Sequence, residues 1–315
     1  LHPPKIMSVQ TQANAVGSVV PPRKIIDPAE RFRRLLMLPS VVPLLLWMIV
    51  PLGMTIVISL MRFNLLSNSE KVFSGLQNYA YLWGDASFFP AIINTIVFTG
   101  SVLIISVVAG VLLAVLYDQE FIGKNVAMLL VIAPFFVMPT VSALIWKNMI
   151  MHPVNGLIGL VLQSFGLQPI DWFADYPMLA VIIIVSWEWV PFAFLILVTA
   201  IKSLDQEQKE AAAIDGAGPF KSFWYIVLPH LEKAIGVVVM IETIFLLSIF
   251  AEIYVTTGGG PGNATTTLAY LVYSLGLQQY DAGIASAGGI LAVVLANIVS
   301  FFLVRMLAKN LSQSA

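Results

Sequence analysis

The sequence predicts an all-α membrane protein with six transmembrane helices. Three observations carry this expectation. Only 10% of its 315 residues are charged and 59% are hydrophobic, whereas a soluble domain has about 25% charged residues. The mean hydropathy is +0.90, which in water would demand an implausibly large core. Six stretches, at about 35–61, 91–117, 125–147, 178–200, 234–256 and 283–307, are long and apolar, and each supplies the roughly 20 residues that a helix needs to cross the hydrocarbon core.

The chain begins with residues 1–34, which carry Lys5, Arg23, Lys24, Arg31, Arg33 and Arg34. This tail contains no apolar core of the length a signal peptide needs and reads as a flexible basic arm. The spanning domain follows over 35–309, then a short tail at 310–315. An even number of spans places both ends on one side. Basic residues choose the side. One face holds the six in the tail, Lys124, Lys202, Lys209, Lys221, Lys233, Arg305 and Lys309, which is 13 of the 16. The other holds Arg62, Lys71 and Lys147. Both termini and the loop 201–233 are therefore expected in the cytoplasm.

On the opposite side, VNGLIGLVLQSFGL at 154–167 is apolar but too short to span, as for a helix lying in the interface or over a mouth. Trp172 and Phe173 follow as interfacial aromatics. Residues 257–281 begin TTGGGPGNATTT, a segment with strong turn chemistry; Asn263-Ala-Thr265 within it fits a glycosylation acceptor, a short and common pattern.

Several classes are excluded or disfavoured. There is no cysteine, so disulfides, thiolate metal sites and cysteine catalysis are out. His2, His152 and His230 are far apart, a poor basis for a metal site. A net charge of −1 points to no nucleic-acid partner. No nucleophile–base pairing suggests an intramembrane enzyme. The nearest approach to a phosphate-binding loop is GAGPFKS at 216–222, where Phe220 occupies the position that must be glycine for bare backbone to wrap phosphates. GGGPG at 258–262 lacks a following lysine. The chain is thus expected to bind no ATP or Mg itself.

The segment 201–233 is the most informative. LDQEQKEAAAI favours helix, and Asp215-Gly216-Ala217-Gly218-Pro219 breaks it. Pro219 suits the first turn of a second helix, with Pro229 expected to close it. Alanines 211–213 leave a small surface for close approach by another body, while Phe220, Phe223, Trp224 and Ile226 are much apolar surface for a loop. An amphipathic hairpin lying on the bilayer is the plainer reading. The spacing Glu210-Ala211-Ala212, three residues, Gly216, nine residues, Ile226, one residue, Leu228-Pro229 resembles the EAA loop of bacterial ABC-importer permeases. The external segments HPVNGLIGLVLQSFGLQPIDWFADYP and TTGGGPGNATTTLAYLVYSLGLQQYDAGIASA resemble those of sugar-importer permeases related to the larger maltose permease subunit. The similarity covers most of 35–309. It implies a type I ABC importer permease fold, in which Glu210, Ala211, Ala212, Asp215, Gly216, Ala217, Ile226, Leu228 and Pro229 belong to a loop docking on a separate ATPase. It further implies a pair of ATPase subunits holding ATP and Mg, a second permease chain, a periplasmic solute-binding protein and a sugar or sugar-alcohol solute in the bacterial inner membrane. The extra N-terminal spans and large external domain of the maltose subunit are lacking, so contacts made there do not carry over.

Carboxylates within spans are costly, roughly 2.5–3.5 kcal/mol each on insertion scales, and usually face a bundle interior or wet cavity. Glu188, in VSWEWVPF, and Glu242, in VVMIETIF, lie near mid-span; Glu252 lies nearer the external end. Glu188, Trp189 and Phe192 share one helix face by spacing, and Pro191 frees the carbonyl of Trp187. A carboxylate beside aromatic rings suits a polyhydroxy solute: the acid accepts hydroxyl hydrogen bonds and the ring packs on C–H faces. Glu188, Trp189, Phe192, Glu242 and Ser248 are the expected solute path, with Asn94, Thr95, Ser106 and Asn297 either lining it or bridging helices. The alternative for each carboxylate is a stabilising pairing with a backbone or side-chain donor, or protonation. Matching parts of these spans line the sugar site in maltose-type relatives, but there the residues matching Glu188 and Glu242 are not acidic. Two other readings stay open. A proton-coupled secondary transporter predicts an internal repeat, and none is evident between 35–147 and 178–307. An ABC importer for a non-carbohydrate solute shares the EAA loop.

Overall fold

The computed structural model describes residues 28–67 and 71–313; of the basic arm predicted at 1–34, residues 1–27 lie outside them and 28–34 are helical, not a flexible arm. The chain divides into two units between Pro51 and Leu52. In the first, the described residues are the opening part of helix α1 (Pro28–Ser59), which carries Pro39, Pro43 and Pro51 without interruption. From Leu36 to Val50 its side chains, apolar except for Ser40, are exposed on every side, the pattern of a helix surrounded by hydrocarbon or another protein.

The second unit holds the end of α1 and a short hairpin of β1 (Met61–Arg62) and β2 (Val72–Phe73). Then come α2 (Gln77–Gly84), α3 (Phe88–Asp118), α4 (Lys124–Ile132), α5 (Pro139–Ile145), α6 (Leu157–Ser164), α7 (Trp172–Asp175) and α8 (Pro177–Lys202). The remainder is α9 (Gln206–Ile214), α10 (Pro219–Ser222), α11 (Leu228–Leu246), α12 (Ala251–Thr256), α13 (Leu268–Tyr273) and α14 (Ala282–Gln313). Among the described residues, five helices are long and apolar enough to span, and Lys124–Phe136 with Pro139–Ile150 forms a sixth, bent by 106°. They follow the six predicted stretches in order.

The core is built on α3 against α8. Gly110 makes the contact possible, because a Cβ there would stand 2.8 Å from the Cβ of Ala193. Val111, Ala114 and Tyr117 pack on Phe194, Leu197 and Ile201, joined by Leu231 and Val238 of α11. A second cluster places Phe98 and Val102 on Val181, Val185, Leu246 and Ile253. The 257–267 turn is stitched to α3: Asn94 Nδ2 donates to the carbonyls of Asn263 (2.7 Å) and Thr266 (3.0 Å), and Thr95 Oγ1 accepts from the Leu268 N–H (2.9 Å). α6 is the short apolar helix expected within 154–167.

Four further boundaries differ from the expectation. The third span is not one helix. Met138 precedes Pro139 and is extended (φ −60°, ψ 134°), as the clash with a following proline ring favours. The fifth span ends at Leu246, not 256. Ser248 N–H and Oγ both donate to the Phe245 carbonyl (3.0 and 2.7 Å), tightening the last turn and ending the ladder before α12 begins at Ala251. Pro229 does not close the loop's second helix. A π-turn at Phe223–Val227 precedes it, and in this wider register its missing N–H and its ring are accommodated. The helix therefore runs from Pro219 to Leu246. Finally, α14 continues to Gln313, through most of the predicted 310–315 tail.

Candidate functional site

The loop between α8 and α11 is assembled by local rules. Asp205 caps α9, its carboxylate accepting from the Glu207 N–H (3.1 Å). The helix ends in paired bonds from Ala217 N–H to the Ala212 carbonyl (2.9 Å) and Gly216 N–H to the Ala213 carbonyl (3.1 Å). This close needs a left-handed residue, and Gly216 supplies it at φ +79°. Around Gly216 a Cβ would meet nothing within 4 Å, so the turn faces open space. α9 buries no residue; Glu210, Ala211 and Asp215 are exposed, Ala212 and Ala217 half-buried. Ile214 (87% exposed), Phe220 (74%) and Tyr225 (79%) form an apolar face beside them. Ile226 and Leu228 are half-buried and Pro229 is exposed. The loop is tied back to the body at two points. Lys209 Nζ pairs with Asp118 Oδ2 at the end of α3 (2.7 Å), and His230 Nε2 contacts the Ala200 carbonyl (3.0 Å) and Ser203 Oγ (3.1 Å). Near the same end of α3, Lys124 pairs with Glu120 (2.8 Å) and holds that carboxyl below its ordinary range through the hydrogen bond and charge.

Within the body, the two helix breaks meet. The bend at Val137–Pro139 and the break at Ser248–Ala251 border one cavity of about 300 Å³, with Glu188, Trp189 and Glu252 in its wall. Glu188 is 6% exposed, and its Oε1 has no hydrogen-bond partner. Glu252 is 3% exposed. The ring of Trp189 stands 5.4 Å from that of Phe245 and 6.0 Å from that of Phe135, so the wall is aromatic on one side and acidic on the other. Ser248 also borders a second, largely apolar cavity of about 420 Å³ between α3, α11, α13 and α14.

The predicted path residues are thus only partly brought together. Glu188, Trp189 and Ser248 share the first cavity. Phe192 stacks on Phe135 (5.9 Å, 26°) behind this wall. Glu242 is elsewhere: it is fully buried and accepts from Ser106 Oγ through both oxygens (2.6 and 2.8 Å), pinning α11 to α3. Asn94 and Thr95 hold the 257–267 turn, although Thr95 also borders the second cavity. Asn297 Nδ2 donates to the Val293 carbonyl of its own helix (2.8 Å). The pairing of Glu252 with Glu188 across one cavity had only a weak signal in sequence, a second carboxylate in an apolar run. Lys147 Nζ donates to the carbonyls of Val255 (3.0 Å) and Thr256 (2.7 Å), neutralising the end of α12.

Six candidate spans, one of them bent, an exposed helix–turn–helix and a cavity at facing helix breaks are the features of a transport protein. Residues 106–313 match the family model described as binding-protein-dependent transport system inner membrane component, and the chain belongs to that family of ABC-importer permeases. It is 34% identical over 275 residues to the trehalose/maltose transport system permease protein MalF of Thermococcus litoralis, covering 86% of this chain and 90% of that one. To a probable ABC transporter permease of Sinorhizobium fredii it is 31% identical over 277 residues, 87% and 89% of the two chains. To the sn-glycerol-3-phosphate permease protein UgpA of Agrobacterium fabrum it is 29% identical over 300 residues, 93% and 98%. A crystal structure of a bacterial ABC transporter that imports the acidic polysaccharide alginate contains a chain of the same fold, with a TM-score of 0.75 at 22% identity over 89% of this chain and 96% of that one.

Proposed function

We propose that this chain is one permease half of an ATP-driven importer that conducts a sugar or sugar alcohol, delivered by an external binding protein, into the cytoplasm. Both termini and the 201–233 loop face the cytoplasm in this reading, following the basic residues. The second half is a homologous permease chain. ATP and Mg are held by a pair of separate ATPase subunits docked on the loop, and this chain performs no hydrolysis. Support for the solute class comes from the trehalose/maltose relative and from an acidic cavity with aromatic walls.

The observation that carries the coupling is the unbroken helix Pro219–Leu246. At about 1.5 Å per residue it is a lever about 40 Å long. One end is the exposed turn after Gly216; the other stops at Leu246, two residues before Ser248 on the cavity wall. The other half of the loop, α9, is tied to α3 by Lys209–Asp118. α3 and α11 are in turn joined by Ser106–Glu242. A displacement imposed on the loop therefore reaches the cavity through two helices that move as one. Inside, Glu188 Oε1 accepts a solute hydroxyl that it lacks within the chain, and Trp189 presents a ring for C–H faces. Backbone groups freed at the two breaks add further polar positions, as irregular backbone at membrane depth is tolerated where it lines a cavity.

The test is mass spectrometry of what co-purifies with the tagged chain from its native membrane in mild detergent. An ATPase and a second permease are expected. The folded chain recovered alone, in good yield, refutes the assembly and favours a self-sufficient transporter.

A further inference from the structure

We infer that Glu188 and Glu252 make the cavity a charge filter, which admits neutral polyhydroxy solutes and rejects those bearing phosphate or carboxylate. The inference rests on the reading of this cavity as part of the solute path. Three observations carry it. Both carboxyl groups line a space of about 300 Å³, so a solute within it sits inside hydrogen-bond or one-water reach of each. Glu188 Oε1 is buried without any partner from the chain, leaving it to act on whatever enters. Among the described residues, no lysine, arginine or histidine lines the space. Lys147 spends its ammonium on the Val255 and Thr256 carbonyls at the far end of α12. Whenever one carboxyl of the pair is ionised, it repels an anion strongly in a low-dielectric wall, and no cationic side chain among the described lining residues compensates. A hydroxyl, by contrast, donates to the same oxygen.

The absence of cysteine from the chain permits a test that needs no knowledge of the natural solute. Ser248→Cys, and separately Ala251→Cys, each place a unique thiol in this chain at the cavity wall. The assembled transporter carrying either is treated with the cationic 2-(trimethylammonium)ethyl or the anionic 2-sulfonatoethyl methanethiosulfonate. The thiolate attacks the reagent's sulfenyl sulfur, a mixed disulfide forms and methanesulfinate leaves. The intact mass of this chain gives the rate, normalised to that of a small free thiol. The cationic reagent is expected to be favoured at least about tenfold, and Glu188→Gln/Glu252→Gln to reduce that preference to within about twofold. Fast but equal rates, or a preference that survives the double substitution, overturn the filter and leave the cavity reading standing. No modification at either position by either reagent overturns both, since a solute path must admit water-borne reagents.

Discussion

Gly216 offers the sharpest separation of folding from coupling. It sits at φ +79°, where an L-residue costs about 1–2 kcal/mol, with asparagine the best tolerated. A Cβ there meets no atom of this chain within 4 Å, so there is no steric cost within the chain. α9 buries nothing, and loosening the turn takes no apolar contact from the core. Gly216→Leu is therefore expected to leave the melting temperature in detergent within about 2 °C of wild type, since domains of this size shift about 2–4 °C per kcal/mol of global stability. ATPase association is expected to behave differently, because the proposed docking seats the partner in the open space at the turn. If the whole of a 2 kcal/mol backbone cost falls on docking, affinity drops about 30-fold. The added bulk lowers it further. The series Gly216→Asn, →Ala, →Leu resolves the two terms: asparagine is mild, alanine reports the backbone, and leucine adds sterics. The assay is recovery of ATPase on the tagged chain, alongside ATP-driven uptake. Wild-type uptake by Gly216→Leu refutes the docking reading; a collapsed melting temperature refutes the claim that the turn is energetically detached.

Other consequences follow from single contacts. Ser106→Ala strips the fully buried Glu242 of the hydroxyl that donates to its carboxylate and is expected to cost about 1–3 kcal/mol, seen as a lower melting temperature; Glu242→Gln, which keeps an acceptor for Ser106, should cost less. Equal stability of Ser106→Ala and wild type contradicts the pin between α3 and α11. Glu188→Gln is expected to weaken the apparent affinity for a neutral sugar by about tenfold, the worth of a charged hydrogen bond exchanged for a neutral one. Unchanged uptake across a panel of sugars and sugar alcohols sinks that role. Lys209–Asp118 is partly exposed and worth under about 1 kcal/mol to stability. Reversing either charge should nonetheless raise ATP consumed per solute, and Asp118→Lys/Lys209→Asp should restore it. A double variant no better than the single ones removes the pair from the coupling route.

Much of the architecture was legible because a bilayer imposes a length rule. Six apolar runs of about 20 residues could be counted, and the Glu210–Pro229 spacing located the exposed turn. What was hidden depended on backbone detail within apolar runs. Val137-Met138-Pro139 and Leu247–Phe250 are as hydrophobic as their surroundings, so a composition window passes over both breaks, although Pro139 marked one of them. Pro229 looked like a terminator because a single proline rule ignores the π-turn ahead of it. Depth counting placed Glu188 and Glu242 alike. Only tertiary contacts, such as one between residues 136 apart, separate a carboxylate held by Ser106 from one that lines a cavity with an unpartnered Oε1. The cavity pairing of Glu188 with Glu252 required both helix breaks to be known first.

The central claim is that motion of separate ATPase subunits drives a neutral polyhydroxy solute through this chain. Its most direct test is uptake of labelled sugars and sugar alcohols, trehalose and maltose among them, into proteoliposomes holding the co-purified complex. Accumulation is predicted to require both ATP on the side of the 201–233 loop and the binding protein on the opposite side. Accumulation driven by a proton gradient with no ATP present contradicts the account.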